Sequence, residues 1–115
     1  MRELSVGKNL TANVANTMYT VPKGCKGIVT LLFVANGSGN TQSFSASWHD
    51  ASENINIAIA ASKSLGAGDY IQFSDGRVVL DEYDYIYVTP AAGSTFSAIL
   101  TLEIYQNTAY QNGNT

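Results

Sequence analysis

Apolar and polar residues alternate with a period of two along most of this 115-residue chain. The alternation is clearest at 44–48, 55–59, 86–88 and 96–104. Successive side chains of a β-strand point to opposite faces, so this pattern buries one face of a sheet and leaves the other in solvent. Clusters of Gly, Asn, Asp and Ser separate the alternating runs and are typical of turns. The sequence therefore predicts an all-β fold, an antiparallel, jelly-roll-like β-sandwich of about eight strands.

The chain is long enough for one domain with its own hydrophobic core. Residues 1–10 are mixed in character and predict an N-terminal arm or an edge strand. Residues 11–106 predict a single β-sandwich domain, and residues 107–115 predict a polar C-terminal tail.

Three segments of the domain carry more specific predictions. Residues 28–35 are apolar at nearly every position, which is typical of a central strand covered on both faces. Residues 55–65 fit either a strand, because isoleucine recurs at every second position, or a helical turn, because alanines follow. The Ser-Asp-Gly sequence at 74–76 predicts a hairpin turn that joins short strands at 70–73 and 77–80.

Charged residues are scarce, at 13% of the chain, whereas an average soluble protein has about 25%. The formal net charge is −3 and the six Lys and Arg residues are scattered, so we expect no nucleic-acid partner. The longest apolar run, 28–35, is far too short to span a bilayer, so we expect no membrane partner. A surface of uncharged polar groups suits a protein that packs against other proteins, including copies of itself.

Cysteine usage and the N-terminal residues indicate the compartment of synthesis. Cys25 is the only cysteine, so the chain forms no internal disulfide. The N-terminal residues lack the apolar stretch of a signal peptide. We therefore expect synthesis and folding in a cytoplasm.

The sequence predicts no catalytic, cofactor-binding or metal-binding site. His49 and Asp50 are adjacent on a strand and so point to opposite faces, and no nucleophile motif accompanies them. Asp81, Glu82 and Asp84 offer carboxylates for calcium, but their spacing differs from the known calcium loop. A solvated turn is the simpler interpretation of these acids. We therefore expect a protein that is not an enzyme.

Tyrosines form the predicted contact surface, which consists of Tyr70, Tyr83, Tyr85 and Tyr87. If the apolar residues of strand 85–89 face the core, Tyr85 and Tyr87 face outward together. Exposed tyrosines combine a large ring with a hydroxyl that water can satisfy, which suits an interface with another protein. Two alternatives stay open: the rings stack sugars in a carbohydrate-binding module, or they pack against neighbouring strands. Alternation places Trp48 inward with Phe44, which counts against the sugar alternative.

Several motifs lie in a recognisable order. Segment 18–39 contains Tyr-Thr-Val-Pro, a turn with two glycines, and an apolar strand that closes on Ala-Asn. A Ser-Ala-Ser-Trp strand follows at 45–48, with Asp50 just beyond it. The sequence Val-Leu-Asp-Glu-Tyr-Asp-Tyr-Ile follows at 79–86, before the last strand. Over residues 17–105 this arrangement resembles the small β-sandwich structural proteins that form decoration, neck and tail parts of tailed bacteriophages.

The resemblance implies a virion structural protein that is assembled in the host cytoplasm and located in the virion. Capsid decoration, in which the protein cements the shell, is the leading hypothesis, and the major capsid protein is then its partner. A neck, tail or fibre component is the alternative, and its partners are then tail or neck proteins. We also expect a homo-oligomer, because such proteins assemble with closed symmetry.

Overall fold

The computed structural model describes residues 1–107, which form nine β-strands in two antiparallel sheets. The strands are β1 (Arg2–Asn9), β2 (Asn16–Thr20), β3 (Cys25–Asn36), β4 (Gln42–Asp50), β5 (Ile55–Leu65), β6 (Tyr70–Phe73), β7 (Val78–Leu80), β8 (Tyr85–Pro90) and β9 (Phe96–Gln106). The sheets pack face to face, so the predicted all-β sandwich is confirmed. The described residues contain no helix, and hence none that is long and apolar enough to cross a membrane.

The order of the strands is that of a jelly roll. The first sheet runs β1-β9-β3, and β6 and β7 follow one another along the free edge of β3. The second sheet runs β2-β8-β4-β5. Most connections cross from one sheet to the other, which interleaves two Greek keys. The loops consequently gather at the two ends of the sandwich.

The core lies between the inner faces of the two sheets and follows the alternation of the sequence. On β9, alternate residues are buried, namely Phe96, Ala98, Leu100 and Leu102. Phe44 of the second sheet meets Phe96 of the first, with 5.7 Å between the ring centroids. Burying one such side chain stabilises the fold by about 1.5–3 kcal/mol.

Residues 1–10 contain β1, which brings the number of strands to nine. β1 pairs with β9 along its whole length, from Arg2 opposite Ile104 to Asn9 opposite Ser97, and forms the edge of the first sheet. The predicted tail at 107–115 lies outside the described residues except for Asn107.

One expectation about the core is wrong, because β3 is buried on one face only. Its inner-facing Leu32 and Val34 are buried, but Leu31 and Phe33 on the outer face are partly exposed. A sandwich of two layers covers only the inner face of each strand, even of a central one. The Phe33 ring is shielded instead by Tyr70, which stacks on it with 5.0 Å between ring centroids.

The predicted hairpin at 74–76 is also wrong. Residues 70–73 and residues 78–80 both pair with β3 in antiparallel orientation, and they do not pair with each other. Residues 74–77 therefore interrupt one edge strand and do not reverse the chain. β3 has 12 residues, so it pairs with both short strands in succession. The Asp75-Gly76 sequence allows the chain to bend, but it does not determine which strand the flanking segments pair with.

Residues 55–65, which fit a strand or a helix by sequence, form the edge strand β5. β5 pairs with β4, but Ile59 and one residue of 61–62 have no partner position there and form bulges. The pairing with β4 decides the conformation, because the sequence of β5 permits either structure.

One buried polar side chain organises each end of the sandwich, and at one end this residue is Asn36, which is 1% exposed. Its side-chain nitrogen lies 3.0–3.2 Å from three carbonyl oxygens of the two neighbouring connections, those of Asn40, Leu65 and Gly66. Its side-chain oxygen accepts a hydrogen bond of 2.8 Å from the Ser38 amide. The β3–β4 and β5–β6 connections are thus tied to the last residue of β3.

We expect Asn36→Ala to lower the free energy of unfolding by about 3 kcal/mol, because several buried backbone groups lose their partner. Asn40→Ala is the matched control, since the Asn40 side chain is exposed and, within residues 1–107, accepts a single hydrogen bond, from Gln42. The control should change the free energy of unfolding by less than about 0.5 kcal/mol. Urea denaturation followed by Trp48 fluorescence measures both. An Asn36→Ala protein as stable as the parent would contradict the assigned role.

Candidate functional site

The four tyrosines of the predicted contact surface do not lie together. Tyr85 and Tyr87 lie on the outer face of β8 in the second sheet, and Tyr83 lies in the loop before that strand. Tyr70 lies on β6 of the first sheet, stacked on Phe33. Because the outer faces of the two sheets point in opposite directions, one flat partner surface cannot contact Tyr70 and Tyr85 at once.

Tyr85 and Tyr87 belong to an aromatic cluster on the outer face of the second sheet. Tyr85 stacks on His49 of β4 with 4.7 Å between ring centroids, and Tyr87 packs against Tyr85 at 5.9 Å. His49 Nδ1 donates a hydrogen bond of 2.7 Å to Oδ1 of Asn56 on β5. The cluster thus joins three neighbouring strands, as the cross-strand packing alternative predicts. His49 covers one face of Tyr85, which leaves that ring a single face for stacking a sugar.

At the end of the sandwich opposite Asn36, a buried carboxylate ties the β7–β8 loop to β4 and the turn after it. Asp84 is 1% exposed. Its carboxylate accepts hydrogen bonds from the Ala51 amide at 2.8 Å, the Asp81 amide at 3.0 Å and the Trp48 indole at 3.2 Å. These N–H donors replace the water that the charged group loses on burial.

Further hydrogen bonds fix residues 81–84, here named the Tyr83 loop. The Tyr83 amide donates to the Val21 carbonyl oxygen at 2.7 Å, and the Val21 amide donates to the Asp84 carbonyl oxygen at 3.0 Å. The Glu82 carboxylate accepts a hydrogen bond of 2.9 Å from the Gly24 amide. The loop is therefore held on both sides of Tyr83.

Tyr83 has a backbone conformation that tyrosine disfavours. Its φ is +72°, in the left-handed region that costs a non-glycine residue about 1–2 kcal/mol. The Tyr83 side chain is 50% exposed. A strained residue persists only where its surroundings over-determine it, and here the Asp84 network does so. The result is a rigid aromatic projection at the Asp84 end of the sandwich.

The interpretation of Asp81, Glu82 and Asp84 as a solvated turn is wrong for Asp84, which points inward. The Asp84 and Glu82 carboxylates are both occupied by N–H donors and do not converge on a common point for calcium. Within residues 1–107, no three His, Cys, Asp and Glu side chains come together as metal ligands.

His49 and Asp50 point apart, as alternation predicts. The Asp50 carboxylate accepts a hydrogen bond of 2.8 Å from the Ser52 hydroxyl and caps the turn after β4. Cys25 begins β3 and packs, partly buried, against the edge of the core.

A hydrogen bond within β9 shifts the pKa of Tyr105. The Tyr105 hydroxyl donates a hydrogen bond of 3.0 Å to the Glu103 carboxylate, and this bond raises the pKa of Tyr105. The pKa is raised because this hydrogen bond to a carboxylate stabilises the protonated phenol.

Sequence reasoning missed the role of Asn36 and Asp84, although alternation contained a signal for both. Asp84 has the same parity as Ile86, and Asn36 has the same parity as Val34. Each therefore continues an inward-facing set, Asp84 just before β8 and Asn36 at the last residue of β3. A polar residue at such a position is buried and needs partners. The strain at Tyr83 leaves no comparable mark, because Gly or Asn is the usual signal of positive φ.

No family model and no curated protein matches this chain. Solved structures of similar fold do match. One comes from Bacillus endospore appendages, described as disulfide-linked pili; its TM-score is 0.54 at 10% identity, covering 91% of this chain and 85% of the other. Another comes from the T13 particle of infectious bursal disease virus; its TM-score is 0.55 at 12% identity, covering 95% of this chain and 32% of the viral chain.

These likenesses establish a shared β-sandwich fold. This chain spans about a third of the length of the viral chain that it matches. The resemblance to structural proteins of tailed bacteriophages stays a prediction.

Replacing Asp84 by Asn tests the buried carboxylate. The amide keeps the shape but turns an NH2 group toward an N–H donor, so the free energy of unfolding should fall by about 3 kcal/mol. Asp81→Asn is the matched control, because the Asp81 side chain is exposed and only its backbone joins the network. Guanidinium denaturation compares the two variants, and equal losses would contradict a special role for Asp84.

Replacing Tyr83 by Gly tests the strain. We expect the free energy of unfolding to rise by about 1 kcal/mol, because glycine adopts positive φ without steric cost. Tyr83→Ala removes the same ring but keeps the strain, so it should bring no gain. Thermal denaturation should show Tyr83→Gly melting about 5 °C above Tyr83→Ala. Equal melting temperatures would show that Tyr83 is not strained.

Proposed function

We propose that this chain is a non-enzymatic structural protein of a virion, and specifically a decoration protein that cements the capsid shell of a tailed bacteriophage. The observation that carries the proposal is the Tyr83 loop. A half-exposed aromatic ring on a rigid, strained loop loses little conformational entropy on binding. Strain that is retained at an exposed position is typical of sites kept for function.

The fold and the composition support an assembled protein. The two solved structures described above, with TM-scores of 0.54 and 0.55, come from assemblies, one from pili and one from a virus particle. The chain has only 13% charged residues, so its surface offers little repulsion to close packing. A protein that binds only the assembled shell stabilises that shell by mass action.

In this proposal the Asp84 end of the sandwich faces the shell. Tyr83 lies at the centre of the contact, and exposed residues of the turns at 22–24 and 51–54 form its rim. The buried Asp84 carboxylate holds the loop that carries the Tyr83 ring, so the surface that would bind the shell is already formed in the free protein.

The test mixes purified protein with empty capsids of the phage whose genome encodes the chain, and measures bound protein by co-sedimentation. We expect saturable binding and a higher melting temperature of the capsid. Tyr83→Gly should weaken binding at least about tenfold, as loss of an interface hot spot does, although it stabilises the free protein. Tyr70→Ala is the control, because it removes an exposed tyrosine from the first sheet and should leave binding unchanged.

Failure to bind shells at saturating protein would contradict decoration. Imaging of purified virions then addresses the alternative location. Copies spread over the shell favour decoration, whereas a few copies at one vertex or along the tail favour a neck, tail or fibre component.

A further inference from the structure

β1 is attached to the sandwich through one neighbouring strand. It lies at the N-terminus and at the edge of the first sheet, where it pairs with β9. None of its eight residues is buried, and only Leu4 and Val6 are half-buried. Other contacts are polar and exposed, such as the hydrogen bond of 2.8 Å that joins the hydroxyls of Ser5 and Thr101. β1 can therefore detach without disturbing the pairing of any other described strand.

The site that β1 occupies on β9 requires a strand. Leu4 and Val6 lie opposite Leu102 and Leu100, which are fully buried in the core. Loss of β1 would uncover these side chains and leave one edge of β9 without hydrogen-bond partners. The site is matched to β1 over all eight residues of the strand. Its occupant is consequently a β1 strand, either that of the same chain or that of a second copy.

The segment that joins β1 to β2, residues 10–15 and here named the hinge, folds into a turn that is not fully relaxed. Asn13 has a φ of +64°, in the left-handed region, which asparagine enters at a smaller cost than most residues do. Val14 is 48% exposed. A short hinge held in a strained turn favours the exchange of a terminal element between copies, because straightening relieves the turn.

One side chain holds the hinge closed. The side-chain nitrogen of Asn16 lies 2.9 Å from the carbonyl oxygens of Thr11 and Val14, and its side-chain oxygen accepts a hydrogen bond of 3.0 Å from the Thr11 amide. The Asn13 amide also donates to the Pro90 carbonyl oxygen at 2.9 Å. These bonds favour the closed chain, whereas the turn conformation opposes it. The contacts of β1 itself are the same with either copy, so the hinge sets the balance.

We propose that β1 is an exchangeable strand. In a dimer of this protein, β1 of each copy pairs with β9 of the other copy in the register seen within one chain, and the Asn16 side chain is the clasp that keeps the single chain closed. The exchange is reciprocal, so it closes with a two-fold axis and remakes the contacts of β1. An extended hinge of six residues spans about 20 Å, which separates the two sandwiches enough for both to stay intact. The proposal concerns the free protein and does not depend on the proposed role in a capsid.

A disulfide across the β1–β9 ladder reports which copy supplies β1. Ser5→Cys and Thr101→Cys place two thiols opposite each other, and Cys25→Ser removes the natural thiol. After refolding at millimolar concentration and oxidation, a denaturing gel without reductant should show a covalent dimer at twice the 12.3 kDa of one chain. A closed monomer forms the same disulfide within one chain. In the same background Ser45→Cys with Thr89→Cys is the matched control, because this pair joins β4 to β8 and should give monomers.

Two replacements of Asn13 should shift the balance in opposite directions. Asn13→Pro cannot adopt positive φ and lacks the amide that bonds Pro90, but it suits an extended hinge, so it should lower the dimer dissociation constant at least about tenfold. Asn13→Gly adopts the turn without strain and should raise the dissociation constant. Asn16→Ala removes the clasp and should lower it. Sedimentation equilibrium measures the dissociation constants, and circular dichroism confirms that each variant is folded.

Three results would overturn the proposal. The first is that the parent protein and Asn13→Pro both stay monomeric at millimolar concentration. The second is an equal yield of covalent dimer from the β1–β9 cysteine pair and from the control pair. The third is a shift of the same sign for Asn13→Pro and Asn13→Gly, because the hinge would then not set the balance.

Discussion

The buried carboxylate of Asp84 is the interaction on which one whole end of this protein depends. A charged group that leaves water loses several kcal/mol of hydration, on the order of 5 kcal/mol, and regains it only where donors converge. Here the Ala51 amide, the Asp81 amide and the Trp48 indole converge on it. The loop that carries Asp84 is therefore held against β4, and the strained conformation of Tyr83 follows from that constraint.

At each end of the sandwich the loop backbone is hydrogen-bonded by a different kind of side chain. Two packed sheets shield the core from both sides but leave it open at the ends, where loop backbone must be satisfied without a neighbouring strand. At one end Asn36, which both donates and accepts, bonds the backbone of two connections. At the other end Asp84, which only accepts, gathers N–H donors. Both ends are thereby rigid, and rigid loops make suitable contact surfaces.

The features that point to a function lie at one end and at one edge of the sandwich. The Tyr83 loop projects from the Asp84 end, and β1, none of whose residues is buried, forms an edge of the first sheet. The aromatic cluster around Tyr85 is, in contrast, largely satisfied by its own neighbours. The Tyr83 loop is therefore the surface on which contact with another protein is proposed, in preference to sugar stacking on the aromatic cluster.

The sequence by itself determined the all-β class, the sandwich and the inward-facing residues of strands such as β8 and β9, because parity along a strand is a local property. It also identified Tyr83, but only as one exposed tyrosine among four. Only the tertiary structure decided that 70–73 and 78–80 share β3 as a partner, which N–H groups donate to the Asp84 carboxylate, and that Tyr83 is strained. These features depend on contacts between groups that are distant in sequence, and a local sequence pattern contains no information about such contacts.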